Sequence, residues 1–380
     1  MWRKAGEVED VNSLGMKKDK DFMEKAWNIE KFFLYLSQKN DFILLLGMKN
    51  YKKIRLSVFA VLCLLSLQIG AQDAADGAIK NPVWGPDWAD PTVWIGDDGQ
   101  YYSVATGLRG VARSKDLFHW ESTEIRPLSR EQRQQIHQYG RNLWAPDVAV
   151  VNGKRLLYVT IYNSAEDSNI GVLKETEPGQ FEFHGLITRG KETGIEDTID
   201  PEVVTDPETG IVWLYFGSVG GIHRIQLSED GLSLAPDARY EHVAGLTVHQ
   251  NPSRSRVYEG SYLYNHEGYW YLFVSGGHYG DHTYKLRVGR SATLDGVFLD
   301  KEGQQMAEGY ATTILSSEEN DFFYGPGHCG EIYEKEGKTY LFYHCHNKGT
   351  ENPRQRPMML QEILWDEDGW PYFEGGKPKP

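Results

Sequence analysis

Apolar runs of four to six residues recur along this chain, each rich in aromatic and β-branched side chains and each entered through a tight turn. Tyr101-Tyr102-Ser103-Val104 follows Asp97-Asp98-Gly99, and Leu156-Leu157-Tyr158-Val159 follows Asn152-Gly153. Val212-Trp213-Leu214-Tyr215-Phe216 follows a turn ending at Gly210, and Tyr269-Trp270-Tyr271-Leu272-Phe273-Val274 follows Asn265-His266-Glu267-Gly268. Thr339-Tyr340-Leu341-Phe342-Tyr343 follows Lys335-Glu336-Gly337. Asn-Gly, Asp-Gly and Glu-Gly turns supply the positive-φ positions of hairpins, so each unit predicts antiparallel strands. A short β-prone run precedes each turn. A third strand often follows, as in Gly221–Leu227 and Lys285–Arg290. Helix is scarce; Arg130–Gln138, between two units, is the single candidate.

Ahead of each unit a polar motif returns: Trp88-Ala89-Asp90-Pro91, Trp144-Ala145-Pro146-Asp147, Ile199-Asp200-Pro201-Glu202, Tyr258-Glu259-Gly260-Ser261 and Gly325-Pro326-Gly327-His328. The spacing, roughly 50–70 residues, is that of an internal repeat. Five antiparallel units cannot each bury both faces alone, but arranged radially they bury one another and leave only short edges. The expected fold is therefore all-β, a five-bladed β-propeller. A β-sandwich would not bring one motif back once per unit. Most aromatic residues in the runs are expected to form inter-blade core.

The N-terminal part does not share this pattern. Lys49, Lys52, Lys53 and Arg55 precede an apolar stretch, Leu56–Ile69, too short to span a bilayer comfortably, and Ala71 offers a cleavage point. Residues 48–71 thus read as a signal peptide, with a buried helix or membrane anchor as the alternative. Cys63 follows Leu62 rather than a small residue, which argues against a lipid-anchoring cysteine. Residues 1–47 read as an extension upstream of the true start at Met48 or as a helical extension, and 72–380 as the propeller domain. A secreted or periplasmic location follows, with no membrane association after removal of the signal.

The formal net charge of −14 excludes a nucleic-acid partner of the usual kind, because phosphate binding requires a basic face. Three cysteines make no disulfide scaffold, and no Cys-x-x-Cys pair suggests zinc. Secretion would permit a bond between Cys329 and Cys345, but directly paired antiparallel strands rarely host one, so free thiols are expected.

In a propeller the first strand of every blade lines the axial channel. Asp90, Asp200 and Glu259 should therefore meet at one end of it. Three carboxyls in one pocket raise at least one pKa, giving the acid and base that glycosidic cleavage needs. A single Asp-Pro would read as a turn cap; the recurring set favours function. Proline should hold the preceding acid extended. Trp88 and Trp144, at strand mouths, suit stacking on a sugar ring as well as plain packing.

These five motifs, in this order, resemble glycoside hydrolase family 43 over roughly residues 81–375. The stretch 258–346 is most similar to the arabinanase type, through Tyr269–Ser275, Thr283–Ser291, Gly325–His328 and Tyr340–His344. The resemblance implies an inverting hydrolase of α-L-arabinofuranosidic bonds in arabinan or arabino-oligosaccharides, a plant-type glycan as partner and, expected here, a monomer. It implies Asp90 as general base, Glu259 as general acid and Asp200 as the group that raises the pKa of Glu259 and orients it. It places His328 beside a hydrated calcium, or another ion, on the axis; taken alone, His328 reads equally as a hydrogen-bonded channel histidine. Two departures stand out: Ala89 replaces a usual histidine before the base, and Gly260-Ser261 follows Glu259 where Ala-Pro or Gly-Pro is commoner. The alternatives are the same machinery on a β-xyloside or another glycoside, and a non-catalytic glycan-binding propeller. A retaining fructan hydrolase would carry Asn-Asp-Pro and Glu-Cys, which this chain lacks.

Overall fold

The computed structural model describes residues 79–380. The expected extension, the signal peptide and Cys63 lie outside the described residues. Five antiparallel sheets follow one another along the chain. Blade I holds β1 (Thr92–Ile95), β2 (Tyr101–Val104), β3 (Ala112–Ser114) and β4 (Trp120–Ser122). Blade II holds β5 (Asn142–Val151), β6 (Lys154–Ser164), β7 (Asp167–Glu177) and β8 (Gln180–Arg189). Blade III comprises β9 (Glu202–Thr205), β10 (Val212–Phe216), β11 (Ile222–Leu227) and β12 (Glu241–Ala244). Blade IV comprises β13 (Tyr258–His266), β14 (Tyr269–Gly276), β15 (Lys285–Ser291) and β16 (Thr312–Leu315). In blade V, β17 (Phe323–Gly327) and β18 (Ile332–Lys335) both pair with β19 (Lys338–Asn347), which pairs with β20 (Met358–Trp365) and through it with β21 (Pro371–Tyr372).

The five-bladed propeller is thus as the repeat predicted, and the helix α1 (Arg130–Ile136) lies between blades I and II. Ser129 caps it, accepting from the Gln132 N–H. The aromatic runs form five separate cores, one between each pair of neighbouring blades. Trp94 and Tyr102 of blade I pack on Leu143 and Leu157 of blade II; Phe342 and Met358 of blade V pack on Val93 and Leu117 of blade I. The ring is tied where it starts: the backbones of Trp84 and Met358 bond, and Asn81 exchanges side-chain bonds with Leu360.

A second closure runs around the axis. One side chain from each inner strand accepts a backbone N–H from the next blade. Thr92 Oγ1 accepts from Val148 N (3.1 Å), Asp147 Oδ2 from Val203 N (2.9 Å) and Glu202 Oε1 from Leu263 N (3.4 Å). The Tyr262 hydroxyl accepts from Ile332 N (3.2 Å), and Glu331 Oε2 completes the circle by accepting from Val93 N. Three of these five positions are carboxyls. Burial pushes Asp147 up to about 7, and burial, followed by the neighbouring acids of the ring, pushes Glu202 well above the usual range. Burial also raises Glu331, although Thr92 and the Val93 N–H oppose it. The axial ring therefore holds protons where surface carboxyls would not.

Candidate active site

At the cavity end of each blade's inner segment the backbone turns through a residue with positive φ, just before β1 and β9 at Asp90 (+54°) and Asp200 (+57°), within β5 and β13 at Ala145 (+42°) and Gly260 (+57°), and just after β17 at His328 (+54°). This corrects two expectations. Proline does not hold Asp90 and Asp200 extended; both adopt the left-handed φ that aspartate tolerates better than most side chains. Glu259 is not at the same backbone position as the two aspartates, because Gly260 is. The strained openings are fixed from the preceding blade. Thr106 Oγ1 accepts the Ala145 N–H (2.9 Å), Thr160 Oγ1 that of Asp200 (2.9 Å) and Ser275 Oγ that of His328 (2.7 Å). Gly260 N donates to Asp200 Oδ2 at 3.2 Å. Glycine is required there twice over, since a Cβ would also stand 2.9 Å from His328 Nδ1.

The openings converge on a cavity of about 420 Å³ lined by Asp90, Asp200, Glu259, His328, Trp144 and others. The three acids predicted from sequence are thus brought together. Asp90 is buried, and its Oδ2 accepts from Thr106 Oγ1 at 2.5 Å. Its Oδ1 lies 3.3 Å from Arg356 Nη1, 3.2 Å from His344 Nδ1 and 3.5 Å from His328 Nδ1. Burial alone would raise this carboxyl, but Arg356, His328 and His344 together outweigh it and hold Asp90 well below the usual carboxylate range. Burial, with Arg356 next, pushes His344 down to about 3, so its ring is neutral. The Asp90 backbone N–H donates to His344 Nδ1 at 3.1 Å, and Arg356 Nη1 lies 3.3 Å from the ring's Nε2.

Asp200 moves the opposite way. Burial first, then Glu259 and Asp90, push it well above the usual range, against the pull of the Gly260 N–H. Glu259 is held at both oxygens: Ser218 donates to Oε2 at 2.7 Å and the Tyr284 hydroxyl to Oε1 at 2.8 Å. Tyr284 lies flat against Gly327, where any side chain would collide with its ring.

Trp144 lines this cavity and stacks on Tyr162 at 4.0 Å. Trp88 does not. It lines an adjoining cavity, donates its indole N–H to Ser103 (2.8 Å) and meets Trp84 edge-on. Ala89, at the place where the resemblance expects histidine, lines that same adjoining cavity. His328 lies between Asp90 and Asp200, 3.8 Å from the latter's Oδ2. No grouping of three or more His, Cys, Asp or Glu suited to a metal occurs among the described residues. Cys329 and Cys345 are free and buried.

Sequence reasoning missed Arg356, His344, Thr106, Ser218 and Tyr284, which hold the acids. The signal that some of them carry is positional: Thr106, Thr160, Ser218, Ser275 and His344 each lie within four residues of the end of the strand that pairs with the inner one, facing the next blade's opening. Asp197 was missed as well. It lines the cavity with Oδ1 buried and unbonded, and burial, then Glu196 and Glu259, raise it to about 6.

Comparison with known proteins agrees with this geometry. The chain is 31% identical over 299 residues, 75% of its length and 87% of the relative's, to the extracellular endo-α-(1→5)-L-arabinanase 1 of Bacillus subtilis (strain 168). It is 28% identical over 338 residues, 84% of its length and 92% of the relative's, to an extracellular exo-α-(1→5)-L-arabinofuranosidase of Cellvibrio japonicus (strain Ueda107). Among solved structures it is similar to a Cellvibrio cellulosa α-L-arabinanase complexed with arabinohexaose. The TM-score is 0.64 at 26% identity, covering 76% of this chain and 95% of that one. The model of glycosyl hydrolases family 43 matches residues 79–371. With that match spanning every blade, and the motif acids drawn around one axial cavity, the chain belongs to glycosyl hydrolase family 43.

Proposed function

We propose that this glycoside hydrolase is a secreted, inverting enzyme that cleaves α-L-arabinofuranosidic bonds in arabinan or arabino-oligosaccharides. One observation carries the reaction type: the cavity holds two carboxyls pushed in opposite directions, Asp90 down and Asp200 up, with Glu259 gripped beside them. Asp90, ionised in its cradle of Thr106, Arg356 and His344, takes a proton from water as the water attacks the anomeric carbon. Glu259 gives its proton to the departing oxygen. The enzyme ends the step with Asp90 protonated and Glu259 ionised, and exchange with solvent restores both. Asp200 retains its proton to higher pH than an ordinary carboxyl, so the site does not carry three negative charges, and its bond to Gly260 N fixes the backbone beside Glu259. Inversion requires room for water between base and acid, about 6.5–9.5 Å between carboxyls.

The arabinoside substrate is supported by relatives named for arabinan and by a structural neighbour that holds arabinohexaose. Secretion is supported by relatives named extracellular and by the charged-then-apolar order of residues 49–69. Trp144 would stack on the sugar. A calcium ion wants six to eight oxygen ligands. His328 supplies one imidazole, so a calcium there would be held mostly by water. It would add positive charge near the axis.

The test is product release from linear arabinan, arabino-oligosaccharides, xylo-oligosaccharides and aryl glycosides, with Asp90→Asn and Glu259→Gln alongside. Arabinose or arabino-oligosaccharides from the native protein, released with inverted anomeric configuration and lost in both variants, are expected. Release from xylosides alone would overturn the substrate; retained configuration would overturn the mechanism.

A further inference from the structure

Beside the catalytic cavity lies a second one of about 360 Å³, and the two share Thr106, Trp144 and Arg356 on the Asp90 side. Its wall is made by Trp88, the chain after β2 from Ala105 to Arg109, Arg133 of α1, and Arg141 just before β5. The protein carries a formal charge of −14, yet this wall presents four arginines against one carboxylate, Asp87.

Two of the four are committed. Arg356 serves Asp90, and its backbone N–H donates to Asp87 Oδ1 at 3.2 Å. Arg133 donates to the carbonyls of Gly107 (3.3 Å) and Leu108. Arg109 and Arg141 are different: among the described residues neither forms an ion pair with any Asp or Glu. Arg109 folds back over Gly107, where a Cβ would stand 3.2 Å from its Nε. It is close enough to Arg133 that burial and then this like charge both lower the Arg133 guanidinium.

Arg109 and Arg141 are exposed, so their guanidinium N–H donors stand open to an anionic ligand entering the cavity. A neutral arabinan offers hydroxyls and no negative charge. A guanidinium, by contrast, matches a planar carboxylate with two parallel N–H bonds, and the Trp88 and Trp144 indoles offer apolar faces to a pyranose ring. We propose that this cavity is a subsite for a carboxylate-bearing sugar, a hexuronate residue neighbouring the arabinosyl unit to be cleaved, with Arg109 and Arg141 as its ligands. The enzyme would then favour acidic, branched arabinosides over plain arabinan. The inference takes from the proposed function only the identity of the neighbouring cavity.

The experiment is calorimetric titration of the full chain carrying Glu259→Gln, which binds without turnover. The ligands are an arabino-oligosaccharide bearing one glucuronate and its carboxyl-reduced, neutral counterpart. The acidic ligand is expected to bind about tenfold tighter at low ionic strength. That preference should shrink as salt rises. Arg109→Gln with Arg141→Gln should erase the preference ratio, Arg109→Lys should leave part of it, and Arg113→Gln, on the outer side of blade I, should leave all of it. Unfolding midpoints measured in parallel show whether each variant is folded. Equal binding of the two ligands overturns the proposal. So does competition by sodium sulfate with no preference for glucuronate, which would mark a general anion site. A uronate preference without arabinoside cleavage would refute the proposed function and leave this inference standing; the converse would refute this inference alone.

Discussion

Arg356→Gln isolates what sets the charge of the proposed base. The guanidinium lies 3.3 Å from Asp90 Oδ1. At that distance a unit pair is worth about 5 kcal/mol at an effective dielectric near 20, and about 1 kcal/mol at that of water. The Arg356 side chain keeps 17% of its surface exposed, and that solvent screens the pair toward the smaller figure. Each pH unit corresponds to about 1.4 kcal/mol, so the acid limb of the kcat/KM profile should move up by at least about one unit in Arg356→Gln. The direction follows because Asp90 must be ionised to act, and loss of the cation lets it keep its proton to higher pH. Arg356→Lys, which keeps a charge and loses the planar fork, should fall between. Stability should follow with the same sign. A depressed carboxyl contributes stability above its unfolded pKa and loses it as pH falls through the folded value. The variant should therefore unfold at lower temperature than the native protein near neutral pH, and the gap should narrow in acid. An acid limb that stays in place while the plateau drops would refute the reasoning, since Arg356 would then act on substrate alone.

Three further outcomes are expected. Glu259→Gln should cost about 10²–10⁴-fold on arabino-oligosaccharides, the range for a general acid. It should cost far less on a nitrophenyl arabinoside, whose leaving group needs little protonation, while Asp90→Asn should suppress both substrates alike; equal losses for Glu259→Gln on both would remove it from the acid role. Asp147→Asn keeps an acceptor for Val203 N and removes a carboxyl raised to about 7. A raised carboxyl contributes stability that is complete below its unfolded pKa and lost as pH rises to the folded value. The variant should therefore match or exceed the native unfolding temperature at pH 8 and lose that advantage at pH 4. Gly260→Ala should cost about 1–2 kcal/mol from the left-handed backbone alone. It should also lower kcat by displacing His328, seen as a fall of a few degrees in Tm together with reduced turnover.

The blades were legible because their signals are local. Tyr101–Val104 and Val212–Phe216 are strands with the very bounds their patterns predict, and the Asn152-Gly153 turn places both residues at positive φ. The convergence of Asp90, Asp200 and Glu259 was legible because radial repetition maps one motif onto one end of the axis. What supports the acids was not. Arg356 reaches Asp90 across 266 positions and His344 across 254, and neither belongs to a repeated motif. The offset of Glu259 from the aspartates was hidden for a different reason. Aligning the acids matches side chains, whereas the backbone repeats a φ, and at blade IV those two registers part at Gly260. Trp88 and Trp144 look alike in sequence, yet only Trp144 reaches the catalytic cavity, because Trp88 is turned aside by its bonds to Ser103 and to the Arg356 carbonyl.

The inner strands carry two kinds of acid, and their separation explains how one fold tolerates so many buried carboxyls. At the positive-φ level Asp90, Asp200 and His328 face the cavity, and Glu259 reaches it from beside Gly260; these carry the chemistry. Two or three residues further on, Thr92, Asp147, Glu202, Tyr262 and Glu331 turn to the neighbouring blade and carry closure. The first set needs charge, and Asp90 obtains it from an arginine and two histidines contributed by blade V and the chain beyond its opening. The second set needs only acceptors, which a protonated carboxyl still provides through its carbonyl oxygen. Burial raises all three ring carboxyls and so supplies the neutral form. Neutralising substitutions should therefore act oppositely at the two levels: Asp90→Asn abolishes turnover and leaves the propeller closed, whereas Asp147→Asn keeps turnover and flattens the pH dependence of stability. If Asp147→Asn instead removed activity at unchanged stability, the axial ring would belong to the catalytic apparatus, and the division of the inner strand into a chemical and a structural level would fail.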